Sequence, residues 1–191
     1  MCTDIVVYDL EIAKSVEEVG GWGNVRKGQA GISVAASYSY RDALYQTFCM
    51  DNLPKLKEQL EAAGLVVGFN HINFDNEVIK GVLGQDIVVK SNYDIYRQIN
   101  KVTGNCPGYK LEQVAPRTLG EKFCKGAVAG AMAPELFKQG KLGELINYCI
   151  RDVWLTKHLF DFIMKHQYVI DVGDKKLIVS LPEFNIVQIY V

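Results

Sequence analysis

Apolar and polar positions along the chain alternate between two periods, and the changes of period mark its elements. Residues 4–9, D-I-V-V-Y-D, form a short β-branched apolar run, the pattern of a buried strand. Residues 15–31 are loop-like, with G-G-W-G at 20–23 marking flexible backbone. G-I-S-V-A-A-S-Y-S at 31–39 and A-L-Y-Q-T-F-C at 43–49 predict two more strands, and the R-D between them suits the turn of a hairpin. Asp51 is placed to cap a helix running to about Ala63, with Leu53, Leu56 and Leu60 on one face and Gly64 as its stop. L-V-V-G-F at 65–69 predicts a fourth strand, Phe74 to Leu83 a helix ended by Gly84, and D-I-V-V-K at 86–90 a fifth short strand. Helical segments follow at about 94–103, 110–119 and 142–166, and residues 168–181 predict a hairpin turning at 172–174. A hairpin first, then strands alternating with helices, predicts an α/β fold with a mixed sheet of about five strands flanked by helices.

Length and composition narrow the class. A chain of 191 residues is expected to form one domain, without internal repeat, low-complexity stretch or linker, and 49% apolar residues place it among globular proteins. The five cysteines, Cys2, Cys49, Cys106, Cys124 and Cys149, show neither C-x-x-C pairs nor zinc spacing, and read as reduced thiols of a cytoplasmic protein. M-C-T-D-I-V-V-Y-D-L-E lacks the basic and apolar regions of a signal peptide, and no apolar run is long enough for a membrane span. A net charge of −1 argues against a protein that coats nucleic acid by charge alone, but leaves room for a local basic groove beside an acidic site.

Three acidic stretches change that picture. In Y-D-L-E, Asp9 and Glu11 stand at i and i+2 on a strand and share a face at its end. In G-F-N-H-I-N-F-D, residues 68–75, a strand ends at Phe69, and Asp75 opens a helix behind Asn70, His71 and Asn73. In N-Y-C-I-R-D-V, residues 147–153, Tyr148 and Asp152 are i, i+4 neighbours beside a stripe of Leu142, Leu145, Ile146, Cys149, Ile150 and Val153. Each has an ordinary alternative: a solvated strand end, a helix cap, and an acid paired to a distant lysine. Taken together, the first two sites lie at the C-terminal ends of strands, where α/β sheets bind ligands. Four converging carboxylates would repel unless divalent cations held them, and oxygen-only ligands suit Mg²⁺ or Mn²⁺.

D-L-E at 9–11, N-H-I-N-F-D at 70–75 and Y-C-I-R-D at 148–152 resemble, in order and spacing, the three motifs of the DEDD (DnaQ-like) 3′→5′ exonucleases, which have an RNase H-like fold. The resemblance covers residues 4–166. Tyr148, four residues before the last acid, resembles the tyrosine subclass; the histidine subclass would need His where Asn147 stands. N-x-x-x-F-D is similar to the proofreading domains of family-B DNA polymerases, and L-E-Q-V-A-P-R-T-L-G at 111–120 to the helix before the third motif in standalone relatives. The chain departs from the family at Ile12, where threonine is usual.

The resemblance implies two divalent ions, Mg²⁺ or Mn²⁺, held by Asp9, Glu11, Asp75 and Asp152, with Tyr148 orienting the attacking water. It also implies Asn70 and Phe74 as substrate contacts. The substrate would be a single-stranded or frayed 3′ end of DNA or RNA, cut to 5′-mononucleotides. With the polymerase parts absent, proofreading would act in trans with a polymerase, helicase or other repair partner. Trp22 is a candidate for stacking on a base or for packing on its own domain. Lys110, Arg117, Lys122 and Lys125 are candidates for a phosphate groove or for solvated surface, His71 for a substrate contact or a hydrogen-bonded structural histidine, and Asp94 for a helix cap. Two other readings compete: a non-catalytic RNase H-like module binding nucleic acid or a protein, and a structure-specific endonuclease.

Overall fold

The computed structural model describes residues 4–104, 108–124 and 132–183. Cys2, Cys106 and Lys125 lie outside the described residues. A sheet of five strands runs through the centre in the order β3-β2-β1-β4-β5, with β1 Ile5–Ile12, β2 Ile32–Ser39, β3 Leu44–Phe48, β4 Leu65–Gly68 and β5 Asn92–Asp94. β1 pairs antiparallel with β2 and parallel with β4, and β4 pairs parallel with β5, so the sheet is mixed as expected.

Helices cover both faces of the sheet, and the alternation of β1 shows why. Ile5 and Val7 enter one core with Val34, Ala36, Leu65 and Val67, beneath α4 (Ile95–Thr103), α5 (Leu111–Leu119) and α7 (Leu142–His166). Val6, Tyr8 and Leu10 enter the other, with α1 (Trp22–Arg26), α2 (Leu53–Ala62) and α3 (Asp75–Leu83). Each fully buried Leu, Ile, Val or Phe contributes roughly 1.5–3 kcal/mol relative to an exposed one. Asp9 and Glu11 continue the register of Ile5 and Val7, so they fall on the face covered by α7.

α7 occupies the bounds its periodicity predicts. Leu145, Cys149, Val153, Leu159, Phe160 and Ile163 are completely buried along it, and Gln167, with φ 60°, ends it in a left-handed cap. α6, Ala133–Lys138, precedes it, and a small hairpin of β6 (Tyr168–Ile170) and β7 (Lys176–Ile178) follows it. Asp171 shapes the hairpin turn, its Oδ1 accepting from the backbone N–H groups of Gly173 and Lys175 at 2.8 Å each.

Three expectations need correction. Residues 86–90 are not a strand; Ile87 and Val89 pack on the α3 side while Val88 is exposed, and the fifth strand is Asn92–Asp94. Asp51 does not cap α2: it lies in a 3-10 turn, Met50–Asn52, and Asn52 is the residue before the helix. The loop at 15–31 contains the short helix α1. Among the described residues, no helix is long and apolar enough to cross a membrane.

Candidate active site

The C-terminal ends of the parallel strands β1, β4 and β5 come together at one edge of the sheet. Asp9 and Glu11 project from the end of β1, and Asp152 from the middle of α7 packed above them. Each of the three offers a carboxylate oxygen, and these oxygens lie within 4.8 Å of one another. Like charges at that separation repel by about 3.5 kcal/mol per pair at an effective dielectric near 20. Glu11 and Asp152 are buried and Asp9 half-buried, which sharpens that cost.

Asp75 reaches the same cleft from the opposite face of the sheet. It opens α3, and its Oδ1 accepts the backbone N–H of Leu10 at 3.1 Å, between the two acids of β1. Its side chain does not join the three-carboxylate group but lines the same cleft of about 580 Å³, with Asp9, Glu11 and Asp152. Burial pushes its carboxyl up to about 7, against the lowering by its own and the Leu10 N–H groups, and Asp94 and Asp152 add to the rise.

Tyr148 is buried, and its hydroxyl is hydrogen-bonded to the Asp152 carboxylate. Burial first, then Asp152, Glu11 and Asp9, hold the phenol far above its ordinary range, so it stays a neutral donor. Arg151 faces away, stacked over the Trp154 ring at 4.2 Å and donating to the carbonyl of Cys124 at 3.1 Å. Cys149, one turn below Asp152, donates its thiol to the Asp9 carbonyl at 3.5 Å and ties α7 to β1. Burial and the nearby Asp9 push that thiol up as well, so it is a packing group rather than a nucleophile.

The loop between β4 and α3 is held from below by Asp94. Its carboxylate accepts from the backbone N–H groups of Asn70 (2.8 Å) and Ile72 (3.2 Å), as well as capping α4 through Arg97 N–H at 3.3 Å. Helix capping was legible in the sequence; the hold on the loop was not, because it joins residues 24 and 22 positions apart. His71 is structural, as expected: it is fully buried, with Nε2 2.9 Å from Asn92 Oδ1 and its ring edge-on to Tyr8. Tyr8 in turn donates to Asn76 of α3 in a short hydrogen bond. Asn70 adopts φ 67°, a left-handed conformation that asparagine tolerates, and this turns the chain toward Phe74.

The basic candidates separate. Lys110 lines the acidic cleft. Arg117 instead bonds the Gln113 carbonyl and lies 3.7 Å from Asp174, and Lys122 lies over the Phe123 ring, so neither extends a groove from it. Sequence reasoning missed the cleft's far wall: Pro134 of α6 lines it, and Lys138 of the same helix is tied to Glu18 at 2.7 Å. A helix of six residues leaves too short a period to detect.

A family model for the RNase H superfamily matches residues 27–164. The chain belongs to the RNase H superfamily. Its mixed sheet, flanked by helices, is RNase H-like as the motifs implied. No curated protein matched the sequence. Among solved structures, a family B DNA polymerase from the hyperthermophilic archaeon Pyrobaculum calidifontis is similar, with a TM-score of 0.62 and 15% identity over 86% of this chain. This RNase H superfamily chain spans 25% of that polymerase, and at such identity the likeness concerns the fold.

Proposed function

We propose that the chain is a metal-dependent 3′→5′ exonuclease of the tyrosine DEDD subclass, acting on a single-stranded or frayed 3′ end of DNA or RNA. The observation that carries this reading is the convergence of Asp9, Glu11 and Asp152 within 4.8 Å, from opposite ends of the chain. Superfamily membership and the fold shared with a DNA polymerase support a nuclease over a passive binding module.

The donor set fits hard divalent cations: it is all oxygen, it is strongly self-repelling, and it opens into a cleft large enough for a nucleotide-sized ligand. Asp9, Glu11 and Asp152 would hold Mg²⁺ or Mn²⁺, and Asp75, set back across β1, would support a second ion through water. Bound there, such ions lower the pKa of a coordinated water and neutralise charge on the scissile phosphate. Tyr148 donates its one O–H to the Asp152 carboxylate, which leaves its hydroxyl oxygen to accept from and orient the attacking water; it stays neutral, too weak an acid to ionise and serve as the base. Phe74, on the wall of the acidic cleft, would hold the terminal nucleotide, with an apolar contact from Ile12, where the family that the motifs resemble usually has threonine; Asn70, which lines the adjoining cleft beyond Phe74, would touch the strand there. The product is a 5′-mononucleotide.

The test is digestion of 5′-labelled single-stranded DNA and RNA in Mg²⁺, Mn²⁺ or EDTA, with wild type and Asp9→Asn. The expected result is a ladder shortening from the 3′ end, dependent on metal and lost in the variant. A ladder that persists in EDTA or in the variant would refute the proposed site, and cleavage of circular single strands would point to an endonuclease.

A further inference from the structure

Four segments that line the acidic cleft are joined to one another. β1 lines it with Asp9, Glu11 and Ile12, and α7 with Asp152. Ser15, Val16 and Glu17 line it from the turn that follows β1, and Pro134 from α6. α6 packs on α7 and on β1, and α7 packs on β1. The turn and α6 are joined by an ion pair, with Lys138 Nζ 2.7 Å from Glu18 Oε1. The contacts run from β1 through the turn, the ion pair, α6 and α7 back to β1, and so close a ring. We propose that this ring makes the site demand a free chain end, with Glu18 and Lys138 as the residues that keep an unbroken strand out of the acidic cleft. This rests on the exonuclease reading above and names what would set its end specificity.

Both halves of the closure are built before they meet. In the turn, S-V-E-E at 15–18 forms the reciprocal pattern of a capping box. The Ser15 N–H donates to Glu18 Oε2 at 2.8 Å, and the Glu18 N–H donates to Ser15 Oγ at 3.3 Å. One oxygen of Glu18 is thereby held in place, and the other meets Lys138. Val16 and Val19 pack against the α1–α3 core and anchor the turn from below. α6 is anchored by Ala133, Pro134 and Leu136, all buried, and carries Lys138 in its last turn. The Lys138 hydrogen bond holds the Glu18 carboxyl below its ordinary range, and Glu18 holds the Lys138 ammonium above its own, so both stay charged at neutral pH. Neither side chain lines the cleft, so the pair closes the ring from outside the acidic group.

A strand passes through a closed ring only by an end. An interior stretch, or a circle, enters only while the ring is open. The pair is exposed, 37% at Glu18 and 49% at Lys138, and such pairs are weak and screened by salt. The ring is therefore a latch that opens part of the time. An acid at position 138 would set a like charge against Glu18, with Glu17 next to it, and hold the latch open.

The test compares an oligothymidylate circle with the linear strand of the same length, in Mn²⁺. The readout is the rate of circle opening divided by the rate of linear digestion. A general loss of folding or of metal lowers both rates and leaves this ratio alone. Wild type is expected to shorten the linear strand and spare the circle. Lys138→Ala is expected to raise the ratio about two- to fivefold, the worth of an exposed pair, and Lys138→Glu about tenfold. Lys138→Arg, which keeps the pair, should leave it unchanged. An unaltered ratio in Lys138→Glu would overturn the latch and leave the exonuclease reading standing. A wild type that opens circles as fast as it shortens linear strands sinks both. If wild type hydrolyses neither, the exonuclease reading fails by itself, and binding of the fluorescein-labelled strands decides the latch. A wild-type preference for the linear strand that narrows in Lys138→Glu supports it, and the same preference in both proteins overturns it.

Discussion

Replacing Gly81 by alanine should destabilise this protein, although the same change in most helices does the opposite. Gly81 lies inside α3, where alanine is favoured over glycine by about 1 kcal/mol. Its β-carbon, however, would stand 2.3 Å from Gly28 N, 2.4 Å from Arg26 O and 2.5 Å from Lys27 C. All three are main-chain atoms, so no side chain can turn aside to relieve the overlap. Gly28 itself has φ +77° and meets Gly81 C at 2.4 Å on the reverse substitution, so the approach is mutual. Overpacking of this kind costs typically 1–3 kcal/mol, and contact with backbone places it at the upper end. After the propensity gain, the net loss is about 1–2 kcal/mol, or roughly 2–8 °C in Tm for a chain of this size. Thermal unfolding by circular dichroism, in EDTA and in Mg²⁺, measures it. Relief by separation of α1 from α3 would also move Trp22 relative to Phe74, whose rings now meet edge to face at 5.9 Å. A Gly81→Ala protein that melts at or above the wild-type temperature would refute the argument.

Two further predictions follow from the buried acids. Asp75, with its carboxyl raised to about 7 by burial, carries a proton in the folded metal-free protein that the unfolded chain, near 4, has already released. Its contribution to stability is thus present at low pH and is lost as pH rises from about 4 through 7. Between pH 5 and 8 that is roughly 2–3 kcal/mol. Urea unfolding in EDTA should show the decline, and Asp75→Asn should flatten it; a wild-type profile no steeper than that of the variant would dispose of the idea. Asp94→Ala removes the acceptor for two N–H groups of the Asn70–Asp75 loop and the α4 cap, and should cost roughly 2–5 kcal/mol, with nuclease activity falling together with stability. Asp94→Asn, which keeps an acceptor oxygen, should recover part of both, and an alanine variant as stable as wild type would show that water replaces the carboxylate.

The parts of this molecule that were legible in the sequence are those where one period runs long enough to be read. α7 spans 25 residues, and its stripe predicted both ends. β1 through β4 read correctly from β-branched runs. Asp9 and Glu11 stood out by sharing one face at a strand end and Asp152 as an acid beside a buried stripe, and the fold brings their carboxylate oxygens within 4.8 Å of one another. The fifth strand was misplaced because β5 is three residues long and two of them are polar. Asn92 serves His71 and Asp94 serves the Asn70 loop, so both are chosen by partners in space rather than by the pleat. The apolar run at 86–90 looked more like a strand, yet it packs as irregular chain over the α3 side. Trp22, Arg26 and Tyr96 meet only in three dimensions, across a close approach of two glycines that no local pattern announces.

The thiol of Cys149 touches the carbonyl of Asp9 across 140 positions of sequence, and Leu10 touches Asp75 across 65. The acidic group therefore does not exist in any fragment of the chain that lacks α7. During synthesis, β1 leaves the ribosome with Asp9 and Glu11 long before Asp152 is made, and domains of this kind fold as units once their distant contacts can close. A nascent or proteolytically clipped chain would carry two of the three acids and no cleft between them. The contacts that tie α7 to β1 thus set when the acidic group first exists, and any activity that depends on the group begins only once that helix has docked.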